Sequence, residues 1–189
     1  MTRFAAILAL GLATGAAQAS TITLGLPDIA GFSQLSSSDA STITVNNGLI
    51  PAATAYTFTT IFVPPQTGAQ TADVGLAGLN IAFGAGDDLS LNLKNTNENP
   101  WDFQLVVVTD QGVFSSALQS LIPTQDADFT ASLGGVAGTI SSAYFVVGGV
   151  VPQLDGDRTP EYQIAPIPEP ASLALVTLGA TCIAGRRRR

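Results

Sequence analysis

An all-β, antiparallel two-sheet sandwich of jelly-roll type is the fold the sequence predicts for its body, residues 20–165. An N-terminal leader and one C-terminal transmembrane helix are expected to flank it. Three observations carry this. Short runs alternate apolar and polar residues at period two, the pattern of strands with one buried face. Clusters of Gly, Pro and Asn punctuate these runs, in a chain with 19 glycines and 11 prolines. No stretch repeats its apolar residues at the 3.6-residue period of a helix.

Taken in order, "STITL" (20–24) and "STITV" (41–45) each place two apolar residues on one side. In "AYTFTTIFV" (55–63), Tyr56, Phe58 and Phe62 share a face. "DLSLNLK" (88–94) alternates most cleanly, with Leu89, Leu91 and Leu93 inward and Ser90, Asn92 and Lys94 outward. "WDFQLVVVT" (101–109) begins the same way with Trp101, Phe103 and Leu105, then turns apolar on both sides. "SAYFVVGGVV" (142–151) is continuously apolar and suits a central strand. Asn46-Asn47-Gly48 and Gly84 to Asp87 read as turns. The polar "NTNENP" (95–100) is expected to join its flanking strands as a hairpin. "SSALQSL" (115–121) allows one helical turn at most, and the Gly/Ala-rich 69–86 stretch lacks the spacing of a calcium-binding repeat.

Composition excludes several chemistries. The body carries only two basic residues, Lys94 and Arg158, against all the acids except Glu169, a net charge of −11. Such a surface repels nucleic acid and anionic lipid. The chain has no histidine, and its one cysteine, Cys182, lies in the apolar run near the C-terminus. Ser-His-Asp triads, Cys-His dyads, His/Cys zinc sites and disulfides within the domain are therefore ruled out.

Both ends read as addresses. Arg3, an apolar stretch from Phe4 to Leu12 and the small-x-small triplet Ala17-Gln18-Ala19 make residues 1–19 a signal peptide cleaved before Ser20. At the other end, Pro168-Glu169-Pro170 precedes an apolar run (171–185) and Arg186, Arg187, Arg188 and Arg189. At roughly 1.5 Å per residue that run spans about 22 Å, short of a roughly 30 Å hydrocarbon core. It crosses only with local thinning and with the arginines reaching for the cytoplasmic headgroups. The arginines hold that end inside and the body outside. The prolines stop a helix from extending upstream and leave an extended, accessible segment at the membrane face. A plain single-pass anchor is the alternative.

This tripartite end, residues 166–189, closely resembles the PEP-CTERM sorting signal of Gram-negative bacteria. The resemblance implies recognition by an exosortase, a membrane-embedded transpeptidase-like enzyme, in bacteria that make extracellular polysaccharide. "LSLNLKNTNENPWDFQLVVVTDQG" and "EYQIAPIPEP" also resemble ectodomain patterns of such proteins. The expected partners are then signal peptidase and exosortase during export, the inner membrane transiently, and extracellular polysaccharide. The expected location is the cell surface or medium.

Candidate sites in the body are acidic. Asp87-Asp88, Asp126-Ala-Asp128 and Asp155-Gly-Asp157 all fall in predicted loops. Calcium takes about six to eight oxygens, and Asp155, Asp157 and Glu161 around Gly156 are the best candidate ligands. A glycosidase needs two carboxylates roughly 5–9 Å apart, but nothing marks one pair here. Trp101, beside an Asn-rich loop, could stack on a sugar ring, although its parity with Phe103 and Leu105 points it into the core. The expectation is a non-catalytic envelope or matrix protein associated with exopolysaccharide or biofilm. The alternatives are a calcium-assisted carbohydrate-binding module and, third, a carboxylate-based glycoside hydrolase.

Overall fold

A computed structural model describes residues 19–37, 42–49, 54–62, 68–151 and 159–167. Among them, twelve strands follow in chain order. They are β1 (Thr21–Ile22), β2 (Ser33–Ser37), β3 (Thr42–Leu49), β4 (Tyr56–Ile61), β5 (Gly68–Phe83) and β6 (Asp88–Asn95), then β7 (Trp101–Thr109), β8 (Gly112–Ser115), β9 (Gln119–Leu121), β10 (Asp126–Ser132), β11 (Gly138–Val151) and β12 (Glu161–Pro166). One short helix, α1 (Leu26–Ile29), lies between β1 and β2, its Asp28 carboxylate accepting the Gly25 N–H.

The strands form two six-stranded sheets. In the first the order is β10-β6-β12-β4-β3; β1 continues the β12 side of β6, pairing in parallel with Asp88 and Leu89. In the second the order is β2-β5-β11-β7. There β8 and β9 share the outer edge of β7, against Val106–Thr109 and Trp101–Phe103 respectively. All pairings but β1–β6 are antiparallel. Most connections pass from one sheet to the other, which is how the chain closes a sandwich rather than two stacked meanders.

The alternation seen in the sequence decides what faces inward. Leu89, Leu91 and Leu93 are fully buried, as are Phe103, Leu105 and Val107 on β7 and Phe145 and Val147 on β11. Ring contacts stitch the sheets together: Tyr162 of β12 meets Phe103 edge-on at 5.5 Å, and Phe129 of β10 meets Phe145 at 5.3 Å. Edge-to-face pairs of this kind add about 0.5–1.5 kcal/mol each beyond their buried area. As its apolar run indicates, β11 is central, bonded to β5 and β7.

Three local expectations are corrected. The "NTNENP" segment makes no hairpin: it carries the chain from β6 in the first sheet to β7 in the second. Both strands bury a full apolar face, and placing them in opposite sheets lets both faces share one core. Asn46-Asn47-Gly48 is not a hairpin turn but lies within β3, where the register against β4 shifts between Thr44 and Gly48. The extra residues are absorbed as an irregularity in a continuing ladder. "SSALQSL", within the expectation of one helical turn at most, forms none: Ser115 ends β8 and Gln119–Leu121 is β9, both held on the β7 edge. Between them Ser116 takes the strand's place, its Oγ accepting the Leu105 N–H at 3.0 Å. Finally, Asp126 and Asp128 sit on a strand, not in a loop.

The Gly/Ala-rich 69–86 segment forms β5 and the turn after it. A side chain at Gly75 would collide with the backbone of Ala143 and Tyr144 on β11. Gly78 takes φ +76° where the register with β11 shifts, a conformation that favours glycine.

Candidate functional site

The face of β6 opposite its leucines presents Ser90, Asn92 and Lys94. Register sets β10 and β12 beside them. Asp126 lies across from Lys94 and Gln163 from its other side, Asp128 and Ala165 flank Asn92, and Thr130 lies across from Ser90. These neighbours bond directly. Asn92 Nδ2 donates to Asp128 Oδ1 at 2.9 Å, and the Ser90 and Thr130 hydroxyls meet at 2.8 Å. A groove of about 430 Å³ lies over the Asn92–Lys94 part of this ladder, lined also by Asp126, Asp128, Gln163 and Ala165 and by Thr54, Ala55, Pro166 and Ile167, while Ser90 is buried outside it. Lys94 is the one basic residue among the described residues, and it lines this groove with the carboxylates of Asp126 and Asp128. Such an array offers donors and acceptors at fixed spacing to a ligand rich in hydroxyls. Each of Asn92 and Asp128 spends one polar atom on the other and keeps further capacity for a ligand.

The sequence concealed this groove because Asp126 and Asp128 read as loop acids. The signal was present: in "DADFTASL" Ala127, Phe129, Ala131 and Leu133 alternate with polar residues. Phe129, Ala131 and Leu133 are indeed buried.

Trp101 is 3% exposed. Phe62 stacks on it at 5.8 Å, a Cβ added at Gly149 would lie 3.2 Å from its ring, and its Nε1 donates to Asn97 Oδ1 at 3.2 Å. The indole thus presents no free face to a sugar. The asparagines beside it hold the crossover between sheets. Asn95, fully buried, donates from Nδ2 to the carbonyls of Leu121 (2.8 Å) and Asn99 (2.9 Å), and its Oδ1 accepts the Asn97 N–H. Asn97 Oδ1 accepts the Asn99 N–H in turn, and Asn97 Nδ2 donates to the Thr159 carbonyl.

Of the candidate calcium ligands, Asp155 and Asp157 lie outside the described residues. Glu161 is exposed at the start of β12, and its carbonyl accepts the N–H groups of Thr96 and Asn97. Among the described residues no three His, Cys, Asp or Glu side chains cluster in a way that could hold a metal ion. Asp88 opens β6, while Asp87 closes the preceding turn and is 9% exposed. Asp87 Oδ1 accepts the N–H and Oγ–H of Ser20 at 2.9 and 3.0 Å, and Oδ2 accepts the Gly84 N–H at 2.7 Å. These bonds, the Ser20 N–H first, hold its carboxyl below the usual aspartate range. Tyr162 is the opposite case. Burial drives its phenol well above its ordinary value, and its hydroxyl is matched to Thr60 Oγ1 at 3.0 Å. It is a structural hydrogen-bonding group.

β12 ends at Pro166, still paired with Leu91 of β6. From that residue to the C-terminus, 166–189, the chain matches the family model of the PEP-CTERM protein-sorting motif. The chain carries a PEP-CTERM sorting motif. The motif marks a protein for export and exosortase processing at the membrane, and here it begins inside a sheet strand, with no linker between. Pro168, Glu169, Pro170, the 171–185 run and Arg186 to Arg189 lie outside the described residues, as do Ala17 and the rest of the leader before Ala19. Among the described residues no helix is long and apolar enough to cross a membrane.

No curated protein matches the chain. Among solved structures, this PEP-CTERM chain is similar to CBM22-1–GH10 modules of Clostridium thermocellum xylanase 10B complexed with xylohexaose. That likeness has TM-score 0.40 and 12% identity, covering 74% of this chain and 26% of that one. It is also similar to a family two carbohydrate esterase from Cellvibrio japonicus, with TM-score 0.25 and 12% identity, covering 71% of this chain and 33% of that one. The chain thus spans about a quarter to a third of these two proteins.

Proposed function

We propose that the protein is a non-catalytic component of the cell envelope or extracellular matrix, exported through a cleaved leader and processed by an exosortase. The observation that supports this most directly is the junction at Pro166, where a sorting motif follows directly on an interior strand of the first sheet. Replacing Glu169 or Pro170 by alanine is expected to leave full-length protein in the inner membrane, read by fractionation and immunoblot. Unchanged processing would overturn the assignment. The junction also limits where the chain is cut. Ile164 is fully buried and β12 lies between β6 and β4, so a cut before Ala165 would remove part of a central strand. The processed protein is therefore expected to end at or beyond Pro166, the last residue of β12.

A second reading, carbohydrate binding, is favoured by the polar ladder of the first sheet. We place neutral polysaccharide in this groove, since the body's net charge of −11 disfavours uronate-rich chains. In glycan-array and titration measurements, Asn92→Ala with Asp128→Ala is expected to weaken binding at least about tenfold, the loss of two or more hydrogen bonds. Both side chains face outward, so folding should be little changed. Equal binding by the double variant would dismiss the groove as the site.

A further inference from the structure

Ser20 is held on both sides of its backbone. Its N–H and Oγ–H donate to Asp87 Oδ1 at 2.9 and 3.0 Å, and its carbonyl accepts the Asp88 N–H at 3.0 Å. Asp87 is itself fixed. Oδ2 takes the Gly84 N–H, and its backbone carbonyl takes the Leu133 N–H. The position is built: a nearly buried carboxylate with oriented lone pairs, directed at the nitrogen of one residue. That nitrogen follows Ala17-Gln18-Ala19, the triplet that reads as a signal-peptidase site.

We infer that Ser20 is the first residue of the mature chain and that its new α-ammonium docks on the Asp87 carboxylate, pinning the processed N-terminus to the turn between β5 and β6. The inference rests on the export reading above. In the step that creates the group, water adds across the Ala19–Ser20 amide. Its oxygen goes to the Ala19 carbonyl carbon, which leaves as a carboxylate, and the nitrogen of Ser20 leaves protonated. The donor thereby changes from a neutral amide N–H to an ammonium, so that a bond to the Asp87 carboxylate becomes an ion pair at a distance the fold already provides. The order of events follows. A peptidase needs the chain extended on both sides of the bond, and Ser20 is tied at its nitrogen and carbonyl once folded, so cleavage precedes docking. Docking then makes the β1 end a product of processing, because Thr21 and Ile22 pair with β6 immediately beyond.

Of the described segments that touch this site, Ser20–Ile22, Gly84–Asp88 and Ser132–Gly134, only Asp88 supplies another titratable side chain. An α-amine paired with a carboxylate keeps its proton to higher pH than the roughly 7.7–8.0 of a free one. Its contribution to stability is complete below that range and is lost as pH rises through the raised value.

The test uses the exported full chain. Sequencing of its N-terminus by mass spectrometry is expected to begin at Ser20. The pH dependence of α-amine acylation, followed on the N-terminal peptide, is expected to have a midpoint about one unit or more above a free amine. Asp87→Asn is expected to return it to the ordinary range, and if that variant does not fold, the wild-type midpoint decides alone. A chain beginning at Ser20 with an ordinary midpoint would overturn docking while leaving cleavage intact. A chain beginning elsewhere would overturn the cleavage position, and docking with it.

Discussion

Trp101→Ala is expected to destabilise the domain by about 3–5 kcal/mol, in the range for large buried aromatics. For a domain of this size that lowers the thermal midpoint by roughly 10 °C. The indole sits between Phe62 and Gly149 at the start of β7, and its Nε1 bonds the loop that crosses between sheets. Removing it therefore opens a cavity and strips Asn97 of a partner. Trp101→Phe keeps one ring on Phe62 and loses the N–H bond, with an expected cost of about 1–2 kcal/mol. Thermal melts of the three proteins check the series. The same variants separate the two roles open to this residue. Because the groove lies on the outer face of the first sheet and Trp101 in the core, glycan binding by Trp101→Phe should match that of the wild type.

How much of this was legible in the sequence depends on the range of the interaction. Period-two alternation involves neighbours along one strand, so Leu89, Leu91 and Leu93 could be assigned to the core, and Trp101 with Phe103 and Leu105. Pairing between strands depends on residues far apart. That β10 lies beside β6, forty residues away at the Ser90–Thr130 bond, is written in no local pattern. The groove needs β6, β10 and β12 side by side, so it was invisible even though Asn92, Lys94, Asp126 and Asp128 were each in view. The motif at the C-terminus was legible for the converse reason: its three parts are consecutive, and a processing enzyme reads them as a linear string.

The crossover shows the same division within six residues. A polar run between two good strands suggests a hairpin, because the signals for a tight turn and for a broad arch share the same residues, Asn and Pro. What distinguishes them is the destination of the Asn95 side chain. In a solvent-exposed hairpin it would face water. Here it is fully buried and reaches the Leu121 carbonyl at the end of β9, a partner 26 positions on.

Asn95→Ala is accordingly expected to cost about 2–4 kcal/mol, more than an ordinary surface loop substitution. It leaves the Leu121 carbonyl without this donor in a buried setting and also takes one hydrogen bond each from Asn99 O and the Asn97 N–H, which keeps its bond to the Glu161 carbonyl. Asn95→Asp is the sharper experiment, since it is nearly isosteric. Its carboxylate can still accept the Asn97 N–H, but its second oxygen would face the two carbonyls that Nδ2 now satisfies. The folded-state pKa of that new carboxyl is then raised above the roughly 3.9 of an unfolded aspartate. The sign is the reverse of a salt-bridged acid: the penalty is full at neutral pH and is relieved as pH falls, when the protonated oxygen becomes a donor again. The difference in thermal midpoint between wild type and Asn95→Asp is therefore expected to narrow from pH 7 to pH 4, whereas that of Asn95→Ala stays constant. A pH-independent difference for both would mean that Asn95 holds the crossover by packing rather than by its three hydrogen bonds.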